Sequence, residues 1–173
     1  LSGALDWAPE SPELLGELLG QLGDDPEHAE RRVELLQRML EVQHGDDAAG
    51  TAQTLAGLAA ARGDEEARLQ ALVAGYARAP GDDGLRQALE EAYEAKGDYR
   101  GLAQLLSDTA DTEPDPGRKS QLFRQAATIH RELLMDAQSS AELLERAQAA
   151  APDDASLAVD LASTWAAAGE LDR

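Results

Sequence analysis

Two ladders of helix-breaking residues run through this chain with the same step. Pro80, Pro114 and Pro152 are separated by 34 and 38 residues, and Gly63, Gly97 and Gly169 by 34 and 72. The longer glycine interval equals the two proline intervals together. Each of these glycines is followed by an acid, as Gly63-Asp64, Gly97-Asp98 and Gly169-Glu170. Acid pairs follow two of the prolines, in Pro80-Gly81-Asp82-Asp83 and Pro152-Asp153-Asp154. His44-Gly45-Asp46-Asp47 reads as the same joint without its proline, and Gly23-Asp24 as the matching mid-repeat turn. A fixed period of this length points to a stack of small repeated units.

The joints read as helix punctuation. Glycine just past a helix takes the left-handed conformation at low cost. Aspartate in the next turn caps free backbone N–H groups and meets the positive end of the helix dipole. Proline cannot continue a helix. Each unit is therefore helix, Gly-Asp turn, helix, Pro-Asp turn. Between joints the apolar residues recur at helical spacing: Leu85, Leu89, Ala92 and Tyr93; Leu102, Leu105, Leu106 and Thr109; Leu143, Leu144, Ala147, Ala150 and Ala151; Leu157, Leu161, Ala162 and Trp165. The pattern predicts helices over 11–22, 26–43, 47–62, 64–79, 82–96, 98–112, 117–134, 136–150 and 153–168, with residues 1–9 an extended or disordered lead-in to an array spanning 10–173.

Composition agrees. Of the apolar residues, 34 are Ala and 27 Leu, whereas Val and Ile number five. Strands favour β-branched and aromatic side chains and helices favour Ala and Leu, so the fold class is all-α. Only six residues are aromatic, which suits many thin layers better than one deep core. With no Cys, disulfide and thiolate chemistry are excluded. No apolar run reaches the ~20 residues of a membrane span, and no signal peptide is evident; the expected compartment is the cytoplasm. Arg outnumbers Lys 13 to 2, which with the alanine excess suggests a GC-rich, bacterial genome. The Leu1 start and the stop just after a turn suggest a piece of a longer protein.

The 34-residue period, the mid-repeat Gly-Asp turn and the closing Pro resemble the tetratricopeptide repeat, well over residues 47–173 and more loosely over 11–46. The slot that this family fills with an aromatic or large residue, four before the turn glycine, holds Ala59, Tyr93 and Trp165. Ala56, Gly75, Ala147 and Ala162 match its small residues at helix crossings. Glu90 departs from that pattern, Met135 stands where the third repeat's turn glycine belongs, His130 falls near the aromatic slot, and 115–120 is an insertion. The resemblance implies an α-solenoid of stacked antiparallel helix pairs, a right-handed superhelix of about nine helices. On this facing, Tyr93→Ala should cost roughly 3–5 kcal/mol, as for a buried aromatic.

Such arrays bind peptides or partner proteins on the concave face, lined by the first helix of each pair. Here those helices offer Gln53, Gln87, Glu91, Glu94, Gln125 and Asp160. The three glutamines occupy equivalent turns, a polar row suited to a peptide backbone or simply a set of exposed helix formers. The Lys and Asn clamp with which some members hold a peptide C-terminus is missing, since the chain has no Asn. The net charge is −19, distributed as −9, −6 and −4 over residues 1–47, 48–114 and 115–173. This field opposes nucleic acid and favours a basic partner, beyond keeping the surface soluble. The alternative is a structural spacer within a larger protein, with no ligand of its own.

Catalytic and metal chemistry finds little support, so neither an enzyme nor a cofactor is expected. The Asp pairs lack the alternating ligands of a calcium loop and read as caps. His28, His44 and His130 form no metal-spaced pair; His130 reads as a packed helix residue. Gly16 and Gly20 sit beside Glu17 in a segment too short for a membrane helix. Arg118, Lys119, Arg124 and Arg131 form one basic cluster, either a phosphate or acidic-peptide site or, by default, salt bridges to nearby acids.

Overall fold

The computed structural model describes residues 11–23, 25–167 and 169; the expected lead-in over 1–9 lies outside them. Among the described residues the protein is all-helical, with nine α-helices and no strand. They are α1 Pro12–Leu22, α2 Ala29–Val42, α3 Gly45–Ala61, α4 Glu65–Arg78, α5 Asp83–Lys96, α6 Tyr99–Thr112, α7 Pro116–Glu132, α8 Ala137–Ala150 and α9 Ala155–Ala167. All nine expected helices are present.

Three mid-repeat joints share one construction; Gly23, expected to match them, differs, with φ +56° and ψ −155°. Gly63 and Gly97 both have φ +70°, and the only described non-glycine residue with positive φ is Met135, at +53°. The aspartate after each of the three turns back into the next helix. Asp64 accepts from the Ala67 N–H at 2.9 Å, Asp98 from Gly101 at 2.9 Å and Asp136 from Ser139 at 3.0 Å. The Asp64 and Asp98 N–H groups close onto the carbonyls of Ala59 and Tyr93, five residues back. At the third joint Asp136 donates to His130, six back. That turn is therefore one residue longer, and His130 takes the place held by Ala59 and Tyr93. The Pro joints are also capped, with Asp82 accepting from Leu85 at 2.7 Å, Asp115 from Arg118 at 2.7 Å and Asp154 from Ser156 at 3.0 Å.

Three boundaries depart from expectation. The 26–43 helix opens with a 3₁₀ turn over Pro26–His28, because the Asp25 carboxylate accepts from Glu27 N–H and its carbonyl from His28 N–H. α3 begins at Gly45, earlier than expected, so Asp46 and Asp47 lie inside its first turn rather than capping it; there they meet the helix dipole. The insertion at 115–120 forms no loop: Asp115 caps, Pro116 takes the first helical position, and the added residues extend α7.

The helices fall into two compact units, up to Ala92 and from Tyr93 onward, with the division inside α5. In the first unit Leu15 and Leu18 of α1 pack on Leu35 of α2. Small residues then bring α3 and α4 together: a Cβ on Gly75 would overlap the Ala52 methyl and approach Leu85. Ala52 is fully buried and Ala56 nearly so. In the second unit Leu102, Leu106, Phe123, Ala126, Leu144, Ala147 and Leu157 form one cluster, with Tyr93 against its edge. Trp165 is buried. Two placements need correction. Ala162, expected at a helix crossing, is exposed, because no described element lies over that face of α9. Tyr93 is only half-buried, its ring lying where a Cβ on Gly101 would stand. Burial first, and the Asp98 charge second, raise its phenol above the ordinary range. The expected cost of Tyr93→Ala accordingly falls to about 1–3 kcal/mol.

Three outcomes follow for stability. Met135 is 82% exposed, so Met135→Gly loses little packing and relieves left-handed strain; it should stabilise by roughly 0.5–1 kcal/mol in urea unfolding. Gly75→Val should cost roughly 3 kcal/mol or more, since both helices must separate. Hydrogen bonds from the Ser139 backbone N–H and hydroxyl hold the Asp136 carboxyl below its ordinary value. Its stabilising effect is therefore complete above about pH 4 and is lost as pH falls through the lowered folded value. Asp136→Asn should remove that part of the acid dependence, measured as the unfolding midpoint against pH.

Candidate interaction surfaces

The helices that open each pair keep their polar faces outward because the apolar stripe of each is turned inward. On α3, Thr51, Ala52, Leu55, Ala56 and Ala59 are buried and Gln53 is exposed. The Gln53 Nε2 lies 3.3 Å from the position of a Cβ on Gly84, which places this side chain over the first turn of α5. One turn on, Gln87 is exposed and donates to the Glu91 Oε1 at 3.3 Å. Glu94 is exposed on the same helix. Gln125 is exposed on α7, in the second unit. Neither Gln53 nor Gln125 has a side-chain hydrogen bond among the described residues, so their amides are open to an outside partner. Glu90, where a small residue was expected, pairs with Arg86.

Asp160 is differently placed. Its carboxylate lies 2.7 Å from the Arg124 guanidinium, which also donates to Ser156 at 3.1 Å. α7 and α9 are thereby tied directly, two helices apart in sequence, and Asp160 is engaged within the chain. The rest of the basic cluster is engaged too: Arg118 with Glu113 at 3.3 Å, Arg131 with Glu132 at 3.0 Å, and Lys119 donating to the Asp111 carbonyl at 3.3 Å. Salt bridging is thus the observed use of the three arginines, and a backbone hydrogen bond that of Lys119.

A second surface lies on the other helices. In the first unit a cleft of about 370 Å³ opens between α2 and α4 over α3. Its floor is Leu40, Leu55 and Ala59. One wall is the small face of α4, where Ala67, Ala71 and Ala74 recur at helical spacing. Arg62, Arg78, Glu41 and Asp64 stand at the rim. The second unit has a cleft of about 250 Å³ among α6, α7 and α8. It is polar and internally occupied. Arg146 lies over the Phe123 ring at 4.2 Å and reaches Asp111 and Ser107 on α6. His130, half-buried beneath it, has its Nδ1 3.5 Å from Asp136.

The first cleft has a signal in the sequence, namely three alanines down one face of α4 ending at Arg78. Its apolar floor comes from two other helices and becomes visible only in three dimensions. Among the described residues no three His, Asp or Glu side chains converge as metal ligands, and no helix is long and apolar enough to cross a membrane.

Because Arg124→Ala breaks an exposed pair that links two helices without touching the core, it should cost under about 1 kcal/mol. A larger loss in thermal unfolding would mean that the α7–α9 contact is held mainly by this bridge.

Compared with protein-family models and with curated proteins, the sequence matches none.

Proposed function

We propose that this chain is a helical-repeat interaction module of tetratricopeptide type, which engages a peptide or partner protein through exposed polar residues of α3, α5 and α7, with Gln53 and Gln87 in the first unit and Gln125 in the second. The observation that carries this reading is the set of open amides on those helices. Gln53 and Gln125 have no internal hydrogen-bond partner, and Gln87 bonds only an exposed neighbour. A glutamine amide offers both donors and an acceptor, matching the N–H and C=O groups of an extended peptide. Glu91 and Glu94 on α5, together with the net charge of −19, favour a partner rich in Lys or Arg. On this reading the module binds and performs no chemistry of its own.

A second reading has a specific observation behind it. The outward face of α9 is apolar, with Val159 68% exposed beside exposed Ala155, Ala158 and Ala162. Such a face suits a segment that supports a neighbouring helix in a longer protein, without a ligand of its own.

The two readings separate experimentally. A photo-crosslinking residue at position 87 or 125, used in the source cells, should capture a defined basic partner under the first. Purified, that partner should bind the chain with an association rate that falls about tenfold or more as salt rises to physiological strength. Gln87→Ala with Gln125→Ala should weaken it without changing the unfolding midpoint. Crosslinks confined to other domains of the same protein, with no loss in the double variant, would favour the spacer.

A further inference from the structure

Among the described residues, four arginines make no ion pair or side-chain hydrogen bond: Arg38, Arg62, Arg78 and Arg100. In a chain with 34 acids and 15 bases, carboxylates are in excess and an unsatisfied guanidinium is unexpected. Two of the four, Arg62 and Arg78, line the same cleft. Both stand at helix C-termini, Arg62 at the C-cap of α3 and Arg78 in the last turn of α4. The helix dipole tolerates a cation there, yet the guanidinium N–H donors remain open. The matching cleft of the second unit shows the contrast, since its arginine, Arg146, is held by Asp111, Ser107 and the Phe123 ring.

The acids around the first cleft do not occupy these donors. Asp64 already caps Ala67 at 2.9 Å, and Glu41 pairs with neither arginine. Between the arginines the floor is aliphatic, formed by Leu40, Leu55 and Ala59. The volume, about 370 Å³, lies toward the lower end of the range for ligand pockets, about 300–1,000 Å³. It suits one or two large side chains of a peptide rather than a folded surface.

We propose that this cleft is a binding site for an acidic peptide segment that presents aliphatic side chains to the Leu40–Leu55 floor and carboxylates to Arg62 and Arg78. A guanidinium offers the paired donors that a carboxylate accepts in bidentate fashion. The rim carries two arginines and two acids, so its net charge selects no occupant; the open donors of Arg62 and Arg78 do, since a carboxylate accepts from them and an ammonium cannot. The site is separate from the exposed glutamines and calls for ligand chemistry of the opposite charge.

The test uses the full chain and a fluorescein-labelled 14-residue peptide with leucines at i, i+3, i+4 and i+7 and glutamates flanking that stripe. Its twins carry Gln or Lys in place of every Glu. Fluorescence polarisation should show saturable binding of the Glu peptide, weaker binding of the Gln twin and the weakest of the Lys twin. Arg62→Gln with Arg78→Gln should lower affinity for the Glu peptide about fivefold or more, with the thermal unfolding midpoint unchanged. Ala74→Trp, which fills the cleft from an exposed position, should abolish binding. Gln87→Ala with Gln125→Ala should leave it unchanged. The proposal is overturned by absence of saturable binding, by a Lys twin that binds as well as the Glu peptide, or by retained affinity in the arginine variant or in Ala74→Trp. Loss of peptide binding on the glutamine substitutions would also overturn it, by placing the peptide at the glutamines.

Discussion

Every helix in this protein has to be stopped, and one local device does this at three of the joints, after α3, α5 and α7. A residue in the left-handed conformation ends one helix, and the aspartate that follows caps the next. A helix terminus leaves N–H and C=O groups without partners, and a short connection has few residues with which to satisfy them. The αL–Asp joint meets both needs in two residues. The Asp N–H bonds a carbonyl of the finished helix, and its carboxylate accepts from the helix beginning. Without such closure, chains of Ala and Leu with strong helix propensity would have little reason to break every 11 to 17 residues.

Punctuation fixes helix length, and side-chain size then fixes how closely the helices lie. Gly75 against Ala52, and the buried Ala126, Ala141 and Ala147, allow close contact without large side chains between layers. Individually weak dispersion contacts add up over such an approach. Thin layers leave much of each helix facing outward, and on these faces the acids are not all free charge. Asp64, Asp82, Asp98, Asp115, Asp136 and Asp154 are helix caps, and others pair with arginines. The unsatisfied groups that remain stand out more clearly. Among them are amides on one set of helices and two guanidiniums beside an aliphatic floor on the other.

Much of the fold was legible because it is written locally. Gly-Asp and Pro-Asp joints, with leucines at helical spacing between them, place nine helices, and even Met135 stands out as the residue occupying a glycine's position. What was not legible depends on neighbours far along the chain. Asp160 reads as an open acid until α7 brings Arg124 beside it. Ala162 reads as a crossing residue, yet nothing described lies over it. Asp46 and Asp47 read as caps, but Gly45 starts the helix ahead of them. The cleft between α2 and α4 combines side chains from three helices, of which only the alanine face of α4 repeats in a readable way. Of the site residues, Gln53, Gln87 and Gln125 were legible as exposed positions, since solvent exposure follows from helical period alone.

The most direct test of the joint is the backbone of Met135 in solution. With isotope-labelled protein, a strong intraresidue amide-to-Hα Overhauser effect and the matching scalar couplings should report positive φ at Met135, with helical carbon shifts ending before it and resuming after Asp136. Negative φ at Met135, or unbroken helical shifts from Pro116 through Ala150, would contradict the claim that a left-handed residue and a capping aspartate end one helix and begin the next at the mid-repeat joints.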